Sequence, residues 1–375
     1  MRSKAVRTAA IVVVLIALLI GGGAALITVA WGKIHEPYQG YEKGEQYVDI
    51  PQGASPAEIR RRLIEAGVVP DDLTVRAALW WSGRSRSLKA GEYRFDRPIT
   101  PLAVVEKIAN GEVYTKRITF PEGLTIREMA ALYESHGFGS ARDFVAAAGD
   151  ASAIRDLDPQ AKDLEGYLFP ETYPLPRVAP AGQLIQQMVD RFRATYQDVV
   201  QGRSDSLTTR QIVTLASLIE KETAQSTERS VVSAVYRNRI KKGMGMQADP
   251  TVVYALVKAG RYDGNIRRAD LDFDSPYNTY KYPGLPPGPI ASPGRASLEA
   301  ALSPSNVPFL YFVSRNDGTH VFAETLTEHN ANVYRYQVQY FRRGQGGRGQ
   351  GEGLSQGSGG RGQAAGGRAV SGKRP

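Results

Sequence analysis

The segment IVTLASLIEKETAQSTER, Ile212 to Arg229, begins as an ordinary amphipathic helix and then places two carboxylates together, Glu220 and Glu222, with Lys221 between them. A carboxyl partly withdrawn from water near apolar rings is pushed towards its protonated form, which is what a general acid needs at neutral pH. At about 100° per residue from Leu215, the residues Ile219, Ile212 and Ala216 centre near roughly 50°, with Glu220 at about 140° and Glu222 at about 340°. Both border the buried face, on opposite edges, while Lys221 points away. Border glutamates are ordinarily solvated, so phasing alone does not select a catalyst. Two features favour Glu220. The small Ala216 leaves room on its edge, and the chain downstream commits a long proline-aromatic loop with polar tips at Gln247, Asp249 and Asn278.

Other chemistries lack their residues. There is no cysteine, which removes thiol nucleophiles, disulfides and Cys-ligated zinc. His35, His136, His320 and His329 are scattered, with no HExxH pair and no third ligand, so no metal site is expected. Ser217 follows no G-x-S-x-G, and no glycine-rich phosphate loop follows a strand. No cofactor is expected. The formal charge of +9 suggests nucleic acid only until it is located: three positive charges precede the first apolar run, and a net six lie from Phe341 to Pro375. The rest is neutral overall and offers a duplex no basic face, so nucleic acid is not an expected partner.

The elements that must position a carboxylate can be read from the ends inward. After the basic residues 1–8, the stretch 9–31 (AAIVVVLIALLIGGGAALITVAW) carries no charge. As a helix at 1.5 Å per residue it crosses a hydrocarbon layer of roughly 30 Å. It is long for a cleaved signal peptide and continues beyond Gly23-Ala24-Ala25. The positive-inside bias puts residues 1–8 in the cytoplasm and everything after Trp31 outside the inner (cytoplasmic) membrane. Residues 32–46 read as a linker. The Gly/Arg-rich tail 341–375 has almost nothing to bury and reads as disordered, a solubiliser or a weak ligand of anionic envelope polymers.

Between these ends the chain repeats itself. IPQGASPAEIRRRLIEAGVV from Ile50 and FPEGLTIREMAALYESHGFG from Phe120 align at an offset of 70 residues, sharing a Pro-x-Gly turn and a glycine-stopped helix. Ile59, Leu63, Met129 and Leu132 supply the buried sides. LKAGEYRF reads as a strand, and ITPLAVVEKIANG as a helix. Residues 47–118 thus form a small α/β module, in which Trp80 and Trp81 suit sugar stacking, although core packing explains one of them equally well. Residues 119–340 form a larger α+β domain. Its helices are expected over Leu184–Tyr196, Thr208–Thr223 and Val231–Gly243. MQADPTVVYAL and SPYNTYKYPGLPPGPIASPG read as long irregular loops rich in proline and aromatic residues, and FLYFVSR with GTHVFAE reads as a hairpin over Asn316-Asp317-Gly318.

IVTLASLIEKET, MQADPTVVYAL, YNTY, GLPPGPIASPG and YFVSRNDGTHVFAETLTEHN resemble the YceG-like endolytic murein transglycosylases, over roughly Tyr47 to Tyr340. The resemblance implies an inner-membrane enzyme with a LysM-like domain at 47–118 and a catalytic domain at 119–340. It implies a lyase that cleaves nascent peptidoglycan glycan strands, leaves 1,6-anhydro ends and terminates elongation. Glu220, the first glutamate of E-K-E, takes the catalytic position. Glu165 lies in DLEGYLFPETY, which resembles another family segment and places Glu165 among substrate-binding residues. Gln247, Asp249, Asn278 and Tyr280 are placed around the sugars by chemistry and resemblance together, although turn capping by Asn278 and packing by Tyr280 fit the sequence as well. Two other readings stay open. One is a muramidase-type hydrolase on the same scaffold. The other is a non-catalytic wall-binding scaffold recruited to the wall-synthesis machinery.

Overall fold

The structure, a computed structural model, describes residues 2–42, 44–340 and 342. The tail expected to be disordered lies outside them, apart from Arg342. The chain divides into two compact units, 1–117 with 174–178, and 118–173 with the residues from 179 onward.

The first unit starts with α1 (Arg2–His35). Its segment Val14–His35 has a mean hydropathy of 2.3 and is long and apolar enough to cross a membrane. The helix runs on past Trp31 into the stretch read as a linker. Ile34, 1% exposed, joins the core of the folded module there. Strands β1 (Gln46–Ile50) and β2 (Gly91–Phe95) pair antiparallel, with Gln46 opposite Phe95 and Ile50 opposite Gly91. Alternation sends Val48, Ile50, Tyr93 and Phe95 inward. Between the strands lie α2 (Pro56–Glu65) and α3 (Asp72–Ser82), and α4 (Pro101–Asn110) follows. Ser55 and Thr100 each cap a helix whose first residue is proline, a pairing that satisfies one free N–H and avoids another. Neither Trp80 nor Trp81 enters the core: both are exposed on α3.

The second unit is mainly helical. Strand β3 (Lys116–Thr119) pairs with β4 (Thr172–Leu175). Helices α5 (Ile126–Ser135), α6 (Ala141–Ala148) and α7 (Ala181–Val200) pack in series, and α8 (Thr209–Glu222) packs against α9 (Arg229–Lys241). The segment MQADPTVVYAL, expected to be irregular, instead supplies α10 (Asp249–Lys258). Proline near its start needs no N–H, so Asp249-Pro250 opens a helix that the β-branched run Thr251-Val252-Val253 had disguised. A short α11 (Arg295–Leu302) follows the proline loop. Strands β5 (Tyr311–Ser314) and β6 (His320–Ala323) form the expected hairpin, and α12 (Leu326–Val333) leads into a π-helical turn, Tyr334–Gln339.

Candidate active site

Helix α8 is the axis of the site. A Thr208–Gln211 capping box fixes its start, and every residue from Ile212 to Ile219 is buried. Only its last turn reaches the border that phasing assigns. The Glu220 side chain is 6% exposed there. Its Oε1 accepts from Arg229 Nη2 at 3.0 Å, and its Oε2 accepts from the Gly294 N–H at 2.9 Å. Arg229 opens α9, and Gly294 is the residue before α11, so three helix ends converge on one carboxylate.

A second carboxyl stands against it. Glu122, the middle residue of the second Pro-x-Gly turn, lies close enough to hydrogen-bond with Glu220. Its own side chain is 47% exposed, and Arg229 reaches it at 3.6 Å. Burial, then the negative charge of Glu220, push the Glu122 carboxyl above its ordinary range. The turn is held by Gly123 N–H donating to Ser292 O and Ser292 N–H donating to Leu124 O, both at 2.8 Å. Gly123 has φ +79°, a left-handed conformation suited to glycine. At Gly294 the requirement is space, because a Cβ there would run into the Glu122 carboxyl. Lys221 does not simply point away: its Nζ donates to Gly123 O at 3.1 Å and clamps the same turn.

Glu122 also borders a cleft of about 400 Å³ lined by Phe169, Glu171, Arg191, Asp198 and Arg295. Its charges are paired, Arg191 with Glu171 at 2.5 Å and Arg295 with Asp198 at 2.6 Å, and the Arg191 guanidinium lies 5.8 Å from the Phe169 ring centre. An apolar floor with paired charges at its rim suits a polar, ring-shaped ligand.

The other residues singled out from sequence fall into separate groups. Glu222 accepts from the Tyr236 hydroxyl at 2.7 Å, and burial pushes its carboxyl up to about 7. Asp249 lies near it, raised by burial, and accepts from the Tyr280 hydroxyl at 2.5 Å. Gln247 is exposed and holds φ +50°, an uncommon conformation for a residue with a Cβ, just ahead of α10. Asn278 is fully buried: its amide donates to Leu271 O and Phe273 O and accepts from the Tyr280 N–H, so it ties the loop together. Glu165 is buried, caps α5 through the Ile126 N–H at 3.0 Å, and accepts from Tyr254 at 3.2 Å. Burial pushes its carboxyl up to about 8. Sequence reasoning passed over Glu122, Arg229 and Gly294. One signal pointed to Glu122: the two Pro-x-Gly copies differ at their middle position, Gln52 in the first and a carboxylate in the second.

The arrangement has relatives. The YceG-like family model matches residues 48–335. An endolytic murein transglycosylase of Bacillus subtilis is 33% identical over 320 residues, 80% of this chain and 87% of that protein. One from Streptococcus pneumoniae is 29% identical over 79% of this chain and 59% of its own length. A crystal structure of a YceG-like protein from Listeria monocytogenes superposes with a TM-score of 0.51 at 32% identity, covering 77% of this chain and 99% of that one. The chain belongs to the YceG-like family. It is an enzyme of the lytic transglycosylase class.

Proposed function

We propose that this chain cuts peptidoglycan glycan strands internally, at the bond from N-acetylmuramic acid to N-acetylglucosamine, and leaves 1,6-anhydro ends on nascent strands. The helix α1 anchors it in the inner membrane with residues 1–8 in the cytoplasm, and the enzyme works on the outer side, where strand termination is its natural consequence. The β-α-α-β order of the first unit supports a LysM-like, wall-binding module.

The observation that carries the reading is the setting of Glu220: two helix ends supply its partners, and Glu122 links it to the cleft. The Glu122 carboxyl, raised by burial and by the charge of Glu220, pairs with it as a proton source. Protonated from that pair, Glu220 donates to the glycosidic oxygen as the bond to C1 of the muramic residue breaks. The carboxylate then takes the proton of the same sugar's C6 hydroxyl while O6 bonds to C1. No water is consumed, and the proton count on the enzyme returns to its start. Holding the nucleophile on the substrate supplies a proximity gain. In the test, purified protein and uncross-linked strands should yield internally shortened chains. Strands that stay intact under conditions where the protein is folded would sink the reading.

A further inference from the structure

Helix α3 is apolar on both sides. Val75, Ala78 and Leu79 fill the core of the first unit, yet Leu73 and Trp80 stand at i and i+7 on the other face, beside the exposed Arg76. Leu73 is 78% exposed and Trp80 is 76% exposed. A helix at a water surface ordinarily carries polar residues on that side, and a large exposed apolar face marks an interaction surface. The face has a built neighbour: the Trp81 ring meets the Trp31 ring edge-on, 4.5 Å between centres. Trp31 closes the uncharged run of α1, and Ile34 three residues on is buried in the module's core. The module is therefore fused to the end of the membrane-crossing helix, and its exposed tryptophans continue from the point where that helix leaves the hydrocarbon. Arg84 and Arg86 stand exposed just after α3.

We infer that the outer face of α3 lies in the lipid interface, with Leu73 and Trp80 among the upper acyl carbons and Arg84 and Arg86 at the phosphates. The chemistry fits: indole rings settle at headgroup level, arginine side chains reach anionic phosphates, and a helix with one apolar face binds in the plane of the bilayer. Sugar stacking fits less well, because a carbohydrate gains little from the exposed Leu73. The lipid contact would hold the module at a fixed height above the membrane, which a flexible linker could not do. It rests on reading α1 as a membrane span, and the test separates the two.

Full-length protein is reconstituted in vesicles of anionic and zwitterionic phospholipid, with acyl chains brominated near the headgroup. Variants keep a single tryptophan, Trp31 (W80F/W81F) or Trp80 (W31F/W81F). Trp80 emission should be blue-shifted and quenched by the brominated lipid to an extent comparable with Trp31. Quenching of Trp31 with none of Trp80 overturns the interfacial assignment and leaves the anchor standing. Absence of both overturns the two together. The chain has no cysteine, so a nitroxide on Leu73→Cys gives an independent reading in protein with all its tryptophans. Its relaxation should respond to lipid-dissolved oxygen over a water-soluble nickel chelate, and the reverse preference overturns the proposal.

Discussion

Glu220 and Glu222 leave the same last turn of one helix and end in opposite surroundings. Glu220 meets a guanidinium, a backbone N–H and a second carboxyl beside a cleft. Glu222 turns inward to the Tyr236 hydroxyl, near Asp249, where burial pushes it up to about 7. A two-residue step rotates a side chain by about 200° on a helix, enough to separate a poised acid from a buried one. The contrast also shows that displaced titration is a poor guide here. Ranked by upward shift, Glu165 and Glu222 come first, and both are internal hydrogen-bond acceptors. The guanidinium, the backbone N–H and the second carboxyl bordering the cleft single out Glu220 instead.

The sharpest break in the comparison comes from Glu220→Gln. Turnover should fall by about 10²–10⁴-fold, the usual cost of losing a general acid, with the melting temperature unchanged. Near wild-type turnover in a folded variant would remove Glu220 from the chemistry and revive the scaffold reading. Glu122→Gln should cost less, roughly ten-fold, and change the shape of the pH–rate profile, because the raised Glu122 carboxyl no longer supplies a proton. An unaltered profile would mean that the pair has no catalytic role.

Glu222→Gln should leave turnover within a few-fold of wild type and act on stability instead. The folded-state value is raised from 4.5 to about 7, so the favourable contribution of the protonated form is complete below pH 4.5 and is lost as pH rises through 7. A glutamine mimics the protonated form at every pH. Relative to wild type, the variant should therefore gain stability between those values, by on the order of 3 kcal/mol. Melting curves across that window check the sign, and a constant difference would place Glu222 in a wetter site. The smallest effect belongs to the tail: deleting residues 344–375 should change neither melting temperature nor turnover on short soluble glycans. At most it should weaken a salt-sensitive attachment to purified cell walls, seen by sedimentation, since exposed charges are screened over about 8 Å at physiological ionic strength.

Much of this was legible because it is local. The 3.6-residue phase of Ile212–Ile219 placed Glu220 and Glu222 on opposite borders, and Asn316-Asp317-Gly318 marked its hairpin. The long apolar helix α1 was legible from lack of charge alone. What sequence could not supply was convergence. Glu122 lies 98 residues before Glu220 and Gly294 lies 74 after it, and no periodicity links them. They meet because the Gly123 turn hydrogen-bonds to Ser292. The α10 helix was hidden by its β-branched start. The exposed side of α3 was invisible because its tryptophans look equally suited to a core, a sugar or a bilayer.

In the proposed reaction the substrate's own hydroxyl, and not water, attacks C1, so no second carboxylate is needed to activate water. The direct measurement is mass spectrometry of the products released from uncross-linked strands in heavy-oxygen water. The account predicts muramic ends lighter by one water than reducing ends, with no heavy oxygen incorporated. Reducing ends carrying the heavy isotope would contradict it and make the enzyme a muramidase.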